Sequence, residues 1–159
     1  MEDERSLSGE RTMPSYQHIL VAIDFSAETV RILNKALEMA SGSAARISLI
    51  HVVEYSPYLF PPDTPLPMDF DLEARFSEQA SRRLSELVKL HGASEAQCLV
   101  EVGSPTIEIV RVAQEQGVDL IVMGSHGRHG LQRVMGSTAS GVMHTANCDV
   151  LAVRIGEGG

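Results

Sequence analysis

The chain predicts an α/β fold: a single doubly wound domain, a five-stranded parallel sheet with helices on both faces. Three observations predict it. Five short apolar runs alternate with four stretches of helical spacing, giving the order βαβαβαβαβ. Connections of crossover length between consecutive strands require parallel neighbours and place helices against the sheet. A length of 159 residues with 43% apolar and 21% charged content suits one well-formed core.

The first strand is Tyr16–Ile23 (YQHILVAI), apolar and rich in β-branched residues. Asp24-Phe25-Ser26 breaks it, and Ser26 is a plausible N-cap for a helix whose face is Val30, Leu33, Leu37 and Ala40. Ser41-Gly42-Ser43 ends that helix, and Arg46–Val53 (RISLIHVV) is a second buried-type strand. Glu54–Phe70 carries five prolines, which remove donors and fix φ, so an irregular loop is expected there. A helix resumes at Asp71, with Leu72, Phe76, Ala80, Leu84 and Leu87 on one face and Gly92 at its stop. Gln97–Val102 is the third strand. Ser104-Pro105 reads as an N-cap followed by proline in the first helical position. Ile107, Val110 and Ala113 mark the third helix, which Gly117 ends. Asp119–Met123 is the fourth strand, Gly124–Gly130 a glycine-rich loop, Ser137–Ala146 the last helix and Val150–Ile155 the fifth strand. Residues 1–15 read as a polar tail, with Met13 a candidate natural start, and residues 16–159 as the domain.

Composition excludes several classes. No run approaches the ~20 apolar residues of a membrane span, and the polar N-terminus lacks the apolar middle of a signal peptide, so a cytoplasmic protein is expected. A net charge of −8 disfavours nonspecific binding to nucleic acid, which relies on Lys and Arg at phosphates. Cys98 and Cys148 are too few for a disulfide framework and read as two buried thiols on different strands. His126, His129 and His144 lack the cysteine or carboxylate partners of a zinc set.

In open parallel sheets ligands bind beyond the carboxyl ends of strands where the order reverses. Two strand ends here carry unusual residues: Val21-Ala22-Ile23-Asp24, and Met123-Gly124-Ser125-His126-Gly127. Gly124 and Gly127 permit close backbone approach to a ligand because they lack Cβ. Gly136, Ser137 and Thr138 open a helix whose free N–H groups and dipole favour an anion such as a triphosphate. A valine at Gly127 or Gly136 would block that approach and strain any position needing φ > 0. Each glycine also has a simpler reading as the end of a strand or helix, and Asp24 as a capping carboxylate. Gly130 reads as a turn residue, Arg128 and Arg133 as solvated charges. The loop is not a Walker A motif, since no lysine follows Glu101. The dinucleotide-binding glycine spacing, the hydrolase nucleophile elbow and the ATP-pyrophosphatase signature are also absent.

The segments HILVAIDFS, SLIHVV and GSHGRHGLQRVMGSTASGVMHTANCDVLAVR resemble the universal stress protein family, in a likeness covering Tyr16 to Ile155. ATP-binding members carry Gly-x2-Gly-x9-Gly-Ser/Thr. Here Gly124-x2-Gly127 and Gly136-Ser137 match, with eight intervening residues, Arg128 to Met135, instead of nine. That departure bears on phosphate geometry more than on fold. The resemblance implies the strand order 3-2-1-4-5. It implies Asp24 beside the phosphates or metal, Ala22 and Ile23 lining an adenosine pocket, and the Val52 backbone at the adenine edge. It also implies Met123 and Gly124 near the ribose, with Gly127, Gly136, Ser137 and Thr138 near the phosphates; His126 lies in the same loop. The family often has a more polar pair before Asp24 than Ala-Ile.

The expected ligand is therefore ATP, with Mg2+ bound through its phosphates as the plausible metal. The expected assembly is a homodimer through the fifth strand, which the family order leaves at an edge. No residue set looks like an efficient catalytic constellation, and weak ATP hydrolysis assisted by His126 is the most that is expected. The alternatives are a nucleotide-free dimeric adaptor or chaperone-like protein, and a slow ATP hydrolase.

Overall fold

The computed structural model describes residues 15–54, 72–126 and 135–154. The expected tail up to residue 14, the proline-rich segment from Tyr55 onward, residues 127–134 and the chain from Ile155 lie outside them. The elements are β1 His18–Ala22, α1 Thr29–Ala40, β2 Arg46–Val53, α2 Leu72–Leu90, β3 Gln97–Val102, α3 Pro105–Glu115, β4 Leu120–Gly124, α4 Ser137–Thr145 and β5 Asp149–Val153. The sheet is parallel throughout, in the order β3-β2-β1-β4-β5. The class and the order both agree with expectation. Gly124, expected to open a loop, instead closes β4, where it pairs with Val153.

Period-2 alternation along the central strands feeds two separate cores. Ile19, Val21 and Ile23 point to one face with Leu49, Leu120 and Val122, under α1 and α2. Leu20 points to the other with Ile50, Val52, Ile121 and Met123, under α3 and α4. Ile19, Leu20 and Val21 are fully buried, because helices cover β1 on both sides.

The helix faces differ from expectation near their starts. Val30, Phe76 and Ile107 are exposed, Ile107 by 64%. The buried stripes are Thr29, Ile32, Leu33 and Ala36 in α1, then Ala80, Leu84 and Val88 in α2, and Ile109, Val112 and Ala113 in α3. Spacing identifies a periodic set, but which members meet the sheet depends on where the strands stop. Cys98 and Cys148 are half-buried, not buried, and Cys148 precedes β5 instead of lying on it. They pack against different cores, and burial pushes both thiols up. Gly92 and Gly117, at φ 69° and 64°, end their helices in the left-handed region as expected.

At its amino end the sheet is tied by side chains. The Asp119 carboxylate accepts the Gln17 and His18 N–H groups at 2.8 and 2.9 Å. Tyr16 Oη donates to Asp149 Oδ2 at 3.0 Å, linking the approach to β1 with the edge strand β5.

On the α3–α4 face, a Cβ added to Gly141 would sit 2.7 Å from Thr106 Cγ2 and 2.9 Å from its Oγ1. The two helices approach closely because Gly141 has no side chain. Alanine there would gain about 1 kcal/mol of helix propensity but incur overpacking of about 1–3 kcal/mol against a short, branched neighbour. Gly141→Ala is therefore expected to lower stability in urea unfolding. In a Thr106→Ala background the same change is expected to raise it by about 1 kcal/mol. Stabilisation by Gly141→Ala alone would contradict this packing.

Candidate functional site

The site forms where β1 stops. Ile23 N–H donates to Ile50 O at 2.8 Å, and the chain then leaves the sheet. Asp24 Oδ1 accepts the Ser26 N–H at 2.9 Å, and Ser26 O accepts the Thr29 N–H at 3.1 Å. These two bonds make a turn that delays α1 to Thr29. Ser26 is thus not the N-cap; Glu28 occupies that position, without a side-chain cap bond. The capping carboxylate of Asp24 serves the turn.

Phe25, inside that turn, has φ 56°, alone among described non-glycine residues in being positive. A left-handed conformation costs a bulky residue roughly 1–2 kcal/mol. Packing offsets it. The Phe25 ring lies 4.5 Å from the His51 ring, tilted by 42°, and the Arg83 guanidinium sits 4.0 Å from its centroid. His51 Nδ1–H donates to Ile23 O at 2.7 Å, since a carbonyl only accepts. Strand β2 and helix α2 thereby hold the conformation that places Asp24.

Hydrogen-bond parity shows what flanks the end of β1. Ile50 O faces β1, and Val53 O accepts the Gly103 N–H on the β3 side. Main-chain groups of the intervening Val52 therefore face β1, beyond Ala22. On the other flank, Ser125 N–H donates to Val153 O, so Gly124 also faces β1. The backbones of Val52 and Gly124 look across the same gap. The side chains of Ile23, Val52 and Met123 are buried in the two cores, so these residues offer a ligand their main chain. Ala22 is half-buried on the second-core face.

Gly136 N–H donates to Ser125 O at 2.7 Å, which fixes the start of α4 beside the end of β4. Ser137 and Thr138 open α4, where first-turn N–H groups lack intrahelical acceptors. Gly136 has φ −60°, so the expected left-handed strain does not apply there. Only its missing Cβ distinguishes it. Gly127 lies outside the described residues.

Two buried polar side-chain atoms lack a hydrogen-bond partner among the described residues: Thr29 Oγ1 and His126 Nε2. Both belong to segments that follow the carboxyl ends of β1 and β4. His126 Nδ1 is 2.9 Å from Ser125 Oγ. Unpaired buried polar atoms are uncommon and concentrate where a ligand or water completes a site. Thr29 was not visible from sequence, because a threonine at the start of a helix is ordinary.

The turn yields a test that isolates backbone strain. Phe25→Ala loses the ring and keeps the strain, whereas Phe25→Gly loses the ring and relieves it. Phe25→Gly is expected to be more stable than Phe25→Ala by about 1 kcal/mol in urea unfolding, reversing the usual Ala–Gly order. The usual order would show that the turn relaxes out of the left-handed region.

Comparison with known proteins gives one consistent result. The sequence profile described as "Universal stress protein family" matches residues 15–154. Universal stress protein A homolog 1 of Coxiella burnetii is 37% identical over 145 residues, spanning 89% of this chain and 99% of that one. The structure of universal stress protein UspA from Lactobacillus plantarum superposes with a TM-score of 0.67 at 30% identity, covering 87% of this chain and 98% of that one. A universal stress protein crystallised in complex with cAMP matches with a TM-score of 0.63 at 25% identity, covering 88% and 98%.

Proposed function

Because the chain belongs to the universal stress protein family, we propose that it is a cytoplasmic regulatory protein that binds an adenine nucleotide, ATP foremost, as a homodimer. The observation that carries this reading is the gap over the end of β1. The main chains of Val52 and Gly124 face it from opposite sides, Asp24 stands at its rim, and α4 begins beside it. In this reading Val52 offers its main chain to the adenine edge, and Ala22 and Ile23 border the adenosine. Met123 and Gly124 lie along the ribose. Gly127, Gly136, Ser137 and Thr138 cradle the phosphates with backbone and hydroxyl donors. His126 Nε2 is a buried atom in want of a partner, suited to a phosphate oxygen or its water. The cAMP complex of a structural relative supports an adenine ligand.

One carboxylate and two hydroxyls are a hard-oxygen set that fits Mg2+ held mainly through phosphates. Asp24 has one oxygen engaged by Ser26, and its Oδ2 is the atom that would turn to such an ion or its water. The metal would neutralise phosphate charge. The protein's part is orientation by backbone donors.

Calorimetric titration with ATP and Mg2+ tests the site. Gly136→Val is expected to abolish binding by setting a branched side chain at the cradle while the dimer persists, and Gly127→Val likewise. Asp24→Ala is expected to cost roughly 1–3 kcal/mol and Ser137→Ala about 0.5–1.5 kcal/mol, since neighbouring N–H donors remain. Equal affinity for wild type and Gly136→Val would make the glycine structural. No affinity in wild type would favour a nucleotide-free adaptor.

The dimer reading rests on β5, which among the described residues pairs with β4 alone and so leaves an edge. Antiparallel pairing of two β5 edges about a twofold axis is an isologous interface. Light scattering at micromolar concentration is expected to give twice the chain mass, and removal of Cys148–Gly159 to give monomer or aggregate. A monomeric full-length chain would rule the interface out.

A further inference from the structure

At the end of the sheet opposite the crevice, a histidine is built into the core with three partners. His18 is 3% exposed and Ser48 fully buried. His18 Nε2 lies 2.8 Å from Ser48 Oγ. Its Nδ1 lies 2.8 Å from Arg46 Nη2 and 3.2 Å from Gln116 O. A guanidinium only donates and a carbonyl only accepts, so Nδ1 can serve one of the two, and the shorter contact makes it the acceptor from Arg46. The ring is then neutral, with its proton on Nε2 and donated to Ser48. His51 and His144 have the opposite arrangement, with Nδ1–H donated to the carbonyls of Ile23 and Ser140.

Protonation cannot leave this arrangement intact. A second proton on the ring goes to Nδ1, where it meets a guanidinium that offers only protons. The Gln116 carbonyl is already within reach of that proton, and Arg46 Nη2 contacts the same carbonyl at 3.4 Å. Arg46 is exposed and has solvent to turn into. Two arrangements of the same groups are therefore available, distinguished by one proton.

We propose that His18, Arg46 and Gln116 form an acid-responsive latch, in which protonation of the buried imidazole moves Nδ1 from the Arg46 guanidinium to the Gln116 carbonyl and releases the Arg46 side chain. The charged groups facing His18 are Arg46 from β2 and Asp119 from the turn before β4, with Ser48 and Gln116 as neutral partners. Burial holds the imidazole below its ordinary value. The Gln116 carbonyl opposes that, Arg46 reinforces it, and Asp119 opposes it in turn. Each Asp119 oxygen already accepts one main-chain N–H, from Gln17 and from His18. With the folded-state value lowered, the unfolded chain binds more protons below about 6.5. The contribution of this site to stability is therefore full above about pH 6.5 and falls as pH drops from there to the folded-state value.

Proton-detected long-range nitrogen correlation NMR on the full chain tests the latch, with His18→Gln assigning the ring among the six histidines. At pH 7.5 the His18 ring is expected as the Nε2–H tautomer, opposite to His51. Its titration midpoint is expected below the ordinary value of about 6.5 and to move upward in Arg46→Met, which keeps the stem and removes the guanidinium. The Arg46 guanidinium protons, their exchange compared with that of an unprotected arginine at each pH, are expected to be protected above the midpoint and unprotected below it. An Nδ1–H tautomer in wild type overturns the proposal without need of any variant. A midpoint unmoved by Arg46→Met, or guanidinium protection unchanged across the titration, overturns it equally.

Discussion

Strand β1 stops at Ala22, while β2 runs on from Ile50, its register partner, through Val53. That difference in length is the constraint on which the candidate site depends. It exposes hydrogen-bonding edges of β2 and β4 that the central strand would otherwise cover, and it leaves room for the turn that carries Asp24. The stop is enforced locally. Asp24 and Ser26 redirect the backbone, and the left-handed Phe25 makes continuation of the strand impossible. The cost of that conformation is met by packing with His51 and Arg83 on the first-core face. The crevice is thus a product of side chains on the far side of the sheet from α4.

Fold class was legible because parallel strands buried on both faces leave an unambiguous trace. Each of the five apolar runs corresponds to a strand, within a residue or two at the ends. Helix existence was equally legible. The faces were less so, since Val30, Phe76 and Ile107 satisfy helical spacing yet are exposed near their helix starts. Periodicity carries no information about the relative height of helix and strand.

At the candidate site, sequence pointed to the ends of β1 and β4 through Asp24 and Gly124, and the structure starts α4 at Gly136 beside the end of β4. Which way the Val52 and Gly124 backbones face required the register, because main-chain direction leaves no mark on residue type. Sequence does not show the conformation of Phe25 either, as glycine is the usual signal for positive φ and is missing there. The buried histidine has a readable sign in the sequence. His18 and Ser48 are polar residues inside otherwise apolar central strands, and such residues need partners from elsewhere in the chain. Naming Arg46 and Gln116 as those partners required the register.

The division of the interior into two cores has a mechanical consequence. The packing units on either side of the sheet share the five strands and no helix, so each can fluctuate with some independence of the other. The rim at Asp24 and Phe25 answers to one unit, and the start of α4, through Ala139 and Val142, to the other. A molecule bridging that rim and the start of α4 would act as a cross-brace between the two layers. It would slow the opening of amides in α1 and in α4 together, so that occupancy would be read out as rigidity on both outer surfaces at once, with no change in the course of the chain.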